Sequence, residues 1–247
     1  MSWSPEQYER FKGERKQPFV DLAALVERRP HMHVVDLGCG TGELTRELHE
    51  SLGADETVGI DNSETMLLKA RAFGDELLRF ERGDIEAFVS DRPFDLIFSN
   101  AALHWVPDHE QLLARLTSLL APGGQLAIQM PDNDEHTSHR VAADVAARFG
   151  AAPRPNYVLP PARYAELLHR LGFQRQHVRV QIYGHLLPAS SDVVEWVRGA
   201  LLTHYEAELG ARFDDFLATY REELQRALGE QRPYFYTYKR VLFWGSF

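Results

Sequence analysis

The chain is most informative first in what it lacks. A single cysteine, Cys39, stands among 247 residues, which rules out an internal disulfide framework and any zinc site built on several thiolates. There is no apolar signal core in the opening "MSWSPEQYERFKGERK", and no apolar run approaches the length that spans a bilayer. Excess positive charge is missing too. The formal net charge of −9 argues against nucleic acid or an anionic membrane as a partner. Internal repeats and low-complexity tracts are likewise absent. What remains is 44% hydrophobic and 26% charged, the balance of a globular enzyme, and the reading is a cytoplasmic one. At this length it is read as one domain with an attached cap.

From about residue 30 to 130, short apolar runs alternate with helical patterns. "HVVDL", "ETVGID", "LLRFERGD", "FDLIFSN" and "GGQLAIQM" read as strands. Between them, "GELTRELHESL", "SETMLLKARAF" and "DHEQLLARLTSLLAPGG" read as helices, the last ended by Pro122 and Gly123. Ser63 is a candidate helix cap, although Met66 stands where a capping box wants Glu or Gln. Strand alternating with helix at this spacing implies a parallel, doubly wound α/β sheet.

After Met130 the pattern changes. "PRPNYVLPPARY" breaks the alternation as a proline-rich loop, followed by a helix, "RYAELLHRLGF", and a strand, "QRQHVRVQIYGH". Two long helical patterns then fill residues 189 to 230, and "YFYTYKRVLFWG" closes the chain as a late strand. The expected layout is an N-terminal segment at 1–29, a core at 30–133 and a second half at 134–247. A helical cap at about 186–232 is inserted between the last two of seven strands.

Gly38, Gly40 and Gly42 form a G-x-G-x-G loop between the first strand and its helix. Glycine permits positive φ and lets a ligand approach bare backbone. The dinucleotide fingerprint wants its third glycine one residue later, where this chain has Glu43. A carboxylate in the first helical turn suits the helix dipole but repels a pyrophosphate, so a nicotinamide dinucleotide is disfavoured. Asp61 ends the second strand about twenty residues on, where a carboxylate accepts both hydrogen bonds of a ribose diol. Asp84, after the third strand, can accept from an exocyclic amine. Asp36 adds a third acid beneath the loop, where it either bonds the loop's own N–H groups or adds to the field. Three carboxylates and no lysine in the loop suit a cationic nucleoside, and S-adenosylmethionine fits that description.

"VVDLGCGTG", "GID", "GDI", "FDLIFSNAALHW" and "LAPGGQLAIQMPDN" resemble the successive motifs of class I S-adenosylmethionine-dependent methyltransferases over residues 30 to 133. "WSPEQYERFKGERKQP", "ALHWVPDHEQL", "QMPDN" and "EWVRGAL" resemble, more narrowly, the trans-aconitate 2-methyltransferase family, which methylates a small tricarboxylic acid. The resemblance implies a Rossmann-like fold and assigns roles. Gly38, Cys39 and Gly40 face the methionine and ribose of the cofactor. Asp61 holds the ribose hydroxyls, flanked by Asn62 and Ser63, and Asp84 and Ile85 bracket adenine. Asn100 lies by the methionine moiety. Trp3, Tyr8 and Phe11 form either a lid over the cofactor or an amphipathic helix on the core, and Arg15 pairs with the cofactor carboxylate.

For the acceptor, a small carboxylic acid is expected. His104 is the leading polar candidate near the reacting atoms, and Arg198 is the candidate grip for a carboxylate. Tyr183, His185 and Tyr234 are weaker candidates. If the acceptor were instead a hydroxyl, amine or carbon, His104 would serve as base. A non-catalytic cofactor-binding module is the remaining alternative. His136 and His139 have only approximate spacing for a metal pair, and no metal is expected.

Overall fold

A computed structural model describes residues 12–247, with side-chain surroundings from Lys16 onward. The expectations for Trp3, Tyr8 and Phe11, and for the side chain of Arg15, lie outside the described residues. The chain divides into two compact units. One comprises Arg15–Pro131, Tyr157–Gln181 and Arg240–Phe247; the other includes Asp132–Asn156 and Ile182–Lys239. The half expected at 134–247 is therefore shared between both.

The first unit is built on strands β1 (His33–Leu37), β2 (Glu56–Asp61), β3 (Leu78–Arg82), β4 (Phe94–Asn100) and β5 (Leu120–Pro131). With β6 (Arg175–Leu187) and β7 (Tyr234–Ser246) they form a seven-stranded sheet in the order β3-β2-β1-β4-β5-β7-β6. Strands β1 to β5 pair in parallel, and β7 runs antiparallel to β5. Parallel strands need crossover helices, and these cover both faces. On one face Phe19 and Leu22 of α1 (Lys12–Ala23) and Leu48 of α2 (Glu43–Leu52) pack with Val34, Phe98, Ala127, Leu242 and Trp244. On the other, Leu112 and Leu116 of α4 (His109–Thr117) and Tyr164 of α6 (Pro161–Arg170) pack with Val35, Ile97, Ile128 and Phe243. Each fully buried leucine or phenylalanine contributes about 2 kcal/mol.

Local signals explain the elements. Ser63 caps α3 (Glu64–Ala70) by accepting the N–H of Met66, while Met66 cannot return the bond. Gly53, in the left-handed region at φ 62°, closes α2. Helix α4 stops at Thr117 and β5 begins already at Leu120, so Pro122 and Gly123 lie in a strand. The register with β4 shifts between Phe94 and Leu96, which absorbs the irregular Ala121–Gly124 stretch.

The other unit has its own core, with Tyr205, Tyr220 and Tyr236 all but inaccessible to solvent. It contains α5 (Thr137–Arg148), which the sequence reading did not anticipate, and α7 (Val193–Arg198), α8 (Leu201–Leu209) and α9 (Phe213–Leu228). The first of the two long cap patterns is thus two helices. Gly199 ends α7, and Ala200 leaves helical geometry at φ −129°, ψ −69°. Tyr183, His185 and Tyr234 are buried. His136 caps α5, its Nδ1 accepting the N–H of Ser138 at 3.1 Å, and burial above all pushes His139 down to about 3. No group of three or more potential metal ligands occurs among the described residues. No helix among them is long and apolar enough to cross a membrane.

Candidate active site

Strand order reverses between β1 and β4, and in open α/β sheets the crevice at such a switch point receives ligands beyond the carboxyl ends of the strands. The G-x-G-x-G loop leaves β1 at that point. Gly38 and Cys39 both donate to the carbonyl of Ile60 on β2, at 2.8 and 3.0 Å, which pins the loop to the neighbouring strand. Gly38, Gly40 and Gly42 have φ of 82°, 56° and 78°, a region costly to residues with a Cβ. Their surroundings differ. A Cβ on Gly38 would come within 2.2 Å of the Ala102 Cβ, whereas one on Gly40 would meet nothing within 4 Å among the described residues. The first glycine permits close packing of two loops; the second faces space left open by the described residues.

Asp61, at the tip of β2, is half-buried. Its Oδ2 accepts the N–H of Gly40 at 2.9 Å and its Oδ1 that of Ser63 at 2.9 Å. A carboxylate has about four acceptor positions, so Asp61 braces the loop and keeps capacity for a diol. Asn62 is exposed beside it. Asp36 lies under the loop at 4% exposure and accepts from the Thr45 hydroxyl at 2.6 Å. Burial pushes its pKa up to about 7, the Thr45 bond pulls against that, and the Asp61 charge adds to it. Burial likewise pushes the Cys39 thiol up, so it is an inert neighbour of the loop, not a nucleophile.

Asp84 is exposed and forms a small turn, its Oδ1 accepting the N–H of Glu86 at 2.9 Å. Ile85 is half-buried, with its Cδ1 3.8 Å from where a Gly38 Cβ would stand. Arg115 on α4 fixes this turn by donating to the carbonyls of Phe88 and Ile85 at 2.7 and 2.9 Å. On β4, Asn100 has a buried Oδ1 with no hydrogen-bond partner among the described residues. Ala101 follows at φ 57° and donates to the Gln129 carbonyl at 2.8 Å. Such a strained non-glycine turn persists only where its surroundings hold it. His104 sits on the next short turn at 8% exposure, its ring 4.7 Å from that of Trp105. His109 supports that turn: Nε2 donates to the Leu103 carbonyl at 3.0 Å, leaving Nδ1 to accept the Tyr164 hydroxyl at 2.5 Å. Burial holds its pKa down, in keeping with a neutral ring.

The structure thus brings Asp36, Gly38, Cys39, Gly40, Asp61, Asn62, Asp84, Ile85, Asn100 and His104 to the carboxyl ends of adjacent strands. Arg198 belongs to the other unit. It ends α7, is partly exposed, and lies 3.7 Å from Glu195, whose carboxylate also takes Arg221 at 2.9 Å. Arg115 and His109 were not singled out from sequence. Arg115 acts on carbonyls 27 and 30 residues away, and His109 joins a carbonyl six residues away to a hydroxyl 55 residues away, which no local pattern records.

Open space over Gly40, an orphaned acceptor on Asn100 and spare capacity on Asp61 fit a nucleoside carrying positive charge. With the β1 loop braced by a β2 carboxylate and an antiparallel β7, the fold and site define a class I methyltransferase. Residues 28–159 match the family model described as a methyltransferase domain. The chain is 44% identical to the trans-aconitate 2-methyltransferase of Deinococcus radiodurans, covering 98% of this chain and 97% of that one. It is 41% identical to the trans-aconitate 2-methyltransferase of Variovorax paradoxus, over 98% and 95%. The chain belongs to this family and is an S-adenosylmethionine-dependent methyltransferase. The YcgJ protein of Bacillus subtilis shares the fold with a TM-score of 0.62 at 17% identity, over 94% of this chain and 98% of that one. So does phosphoethanolamine N-methyltransferase 2 of Haemonchus contortus, solved with S-adenosyl-L-methionine, with a TM-score of 0.60 at 17% identity over 94% and 52%.

Proposed function

We propose that the enzyme transfers a methyl group to a carboxylate of a small polycarboxylic acid of the trans-aconitate kind, in the cytoplasm and without a nucleic-acid or membrane partner. The observation that carries this is the match, over nearly the whole length of both chains, to relatives named for that reaction. When bound, S-adenosylmethionine supplies a methyl on a sulfonium, and the S–C electron pair stays on sulfur as the O–C bond forms.

The residues of the chain position this displacement. Asp61 holds the ribose diol, Asp84 the adenine amine and Ile85 the adenine face. Gly38, Cys39 and Gly40 present backbone to the ribose and methionine, and Asn100 offers its orphaned Oδ1 to the ammonium group. Arg198 grips a carboxylate of the acceptor. A carboxylate is already a nucleophile at neutral pH, so alignment supplies the catalysis and no group needs to remove a proton. His104 then shapes the site near the acceptor.

Incubation with isotopically labelled S-adenosylmethionine and a panel of di- and tricarboxylic acids, read by mass spectrometry, tests the proposal. A labelled monoester that mild alkali hydrolyses is the expected product. An alkali-stable methylated product, or none from any acid, overturns it.

A further inference from the structure

Gln129 and Arg240 form a feature that the proposed roles do not use. Gln129, on β5, pairs in register with Asn100 on β4 and with Leu242 on β7. Residues directly paired across strands share a face, as do residues two apart along a strand. Asn100, Gln129 and Arg240 therefore continue the row of Phe98, Ala127 and Leu242, the face packed with α1. All three stand at the rim made by the carboxyl ends of β4 and β5 and the facing stretch of β7, which are one, two and three strands over from β1 and its glycine loop.

Both side chains are buried. Gln129 is at 0% exposure and Arg240 at 7%. Arg240 donates through Nη1 to the Gln129 Oε1 at 3.2 Å. A guanidinium only donates, so this bond settles which end of the amide faces it. The amide nitrogen must then be the other end, and that Nε2 is buried with no hydrogen-bond partner among the described residues. A buried donor left unsatisfied is rare and costs about 1–3 kcal/mol. Here it lies beside a buried cation and one strand from the orphaned acceptor of Asn100. What the corner leaves open is the Gln129 donor, held next to a guanidinium.

We infer that Gln129 Nε2 and the Arg240 guanidinium form a carboxylate-binding subsite at the tip of β5. A carboxylate is planar, matches the guanidinium fork and accepts from both groups at once. Enclosure strengthens such bonds, because the effective dielectric constant is low. Two carboxylates come to this rim during the reaction: that of the methionine portion of the donor, and a non-reacting one of the acid acceptor. Only the second source rests on the proposed acceptor.

The deciding variant is Gln129→Glu in the full-length protein. It is isosteric and keeps an oxygen for Arg240, so a purely structural amide would tolerate it or gain an ion pair. A carboxylate ligand would instead meet a negative oxygen where it needs a donor. Three readouts are taken: the melting temperature, the affinity for S-adenosylhomocysteine by calorimetry, and the KM for trans-aconitate. The melting temperature is expected to hold. A rise of roughly tenfold or more in the dissociation constant of S-adenosylhomocysteine, with KM for the acid unaltered, assigns the subsite to the donor. A rise of that size in KM alone assigns it to the acceptor. Should Gln129→Glu fail to fold, Gln129→Met, which removes the donor but keeps the shape, is read in the same way. Arg240→Lys should weaken the same ligand, to a smaller extent, since the cation remains but the fork is lost. Unchanged affinity for both ligands in a folded Gln129 variant overturns the inference. Because the calorimetric arm needs no acceptor, it stands even if the enzyme methylates no acid.

Discussion

Asp61 and Gly40 are joined by a 2.9 Å hydrogen bond in which the carboxylate that should hold the ribose also holds the loop beneath it. One oxygen receives the loop N–H and the other the N–H of Ser63, so the side chain cannot swing without loosening both. Binding site and brace are one group. Asp61→Ala should weaken S-adenosylhomocysteine binding by about 1–3 kcal/mol from the lost charged hydrogen bonds, and by more if the loop relaxes. Asp61→Asn retains one acceptor and should lose less. Titration calorimetry on both variants checks the order, and unaltered affinity in the alanine variant would remove Asp61 from the ribose.

The close approach of Gly38 to Ala102 gives a second prediction. Gly38→Ala places a methyl 2.2 Å from the Ala102 Cβ in a backbone at φ 82°. Neither chain segment has room to yield, since Gly38 donates to Ile60 and Ala102 follows the strained Ala101. The variant should be destabilised by about 2–4 kcal/mol and lose cofactor affinity. Ala102→Gly in the same protein should restore the part due to the clash and leave the part due to φ, a coupling that a double-mutant cycle measures by thermal melting. Gly40→Ala, with nothing among the described residues to strike, should cost only the backbone term of about 1–2 kcal/mol.

These particulars show what could be read from the chain alone. The glycine loop, the strand ends bearing Asp61, Asp84 and Asn100, and the Ser63 cap are all local signals, and the structure places them at one rim. Helix α5 escaped because its apolar face is made of alanines and valines, a weak periodic signal after a polar run. The break at Gly199 was hidden inside an otherwise continuous helical pattern. Arg115, His109, Gln129 and Arg240 could not be found that way. Each matters through a partner 6 to 111 residues distant, which the packing of helices on turns or the register of the sheet brings within reach.

Asp36 gives the fold a pH dependence. Its folded pKa, about 7, lies above the ordinary aspartate value of 3.8. Below about pH 4 both folded and unfolded chains are protonated here, and the group contributes nothing either way. As pH rises, the unfolded carboxyl ionises first and draws the equilibrium toward unfolding. Above about pH 7 both states are ionised and the cost is complete, at most roughly 4 kcal/mol. Asp36→Asn, which can still accept from Thr45, removes that cost. The difference in melting temperature, variant minus wild type, should grow from pH 5 to pH 8. A difference that stays flat over that range would show that the buried acid does not titrate there. Thr45→Val should push the Asp36 pKa higher still, because it deletes the one bond that lowers it.

His104 and Arg198 separate turnover from binding. With a carboxylate acceptor there is no proton to abstract, so His104→Ala should keep kcat within about tenfold of the wild type, below the usual range for losing a general base of 10²–10⁴. A larger fall, with a kcat that follows the titration of an imidazole, would mean that the acceptor must lose a proton first. His109→Phe should be the more damaging change structurally. It leaves the Leu103 carbonyl and the Tyr164 hydroxyl without their shared ring and frees the turn that carries His104. Arg198→Ala should raise KM for the acid while S-adenosylhomocysteine affinity stays as it was. The 3.7 Å contact to Glu195 is long for an ion pair, and Arg221 lies closer to the same carboxylate, so little stability is at stake. A KM that does not move, in a protein that melts normally, would take Arg198 out of the acceptor site and leave the recognition of the acid to other cations.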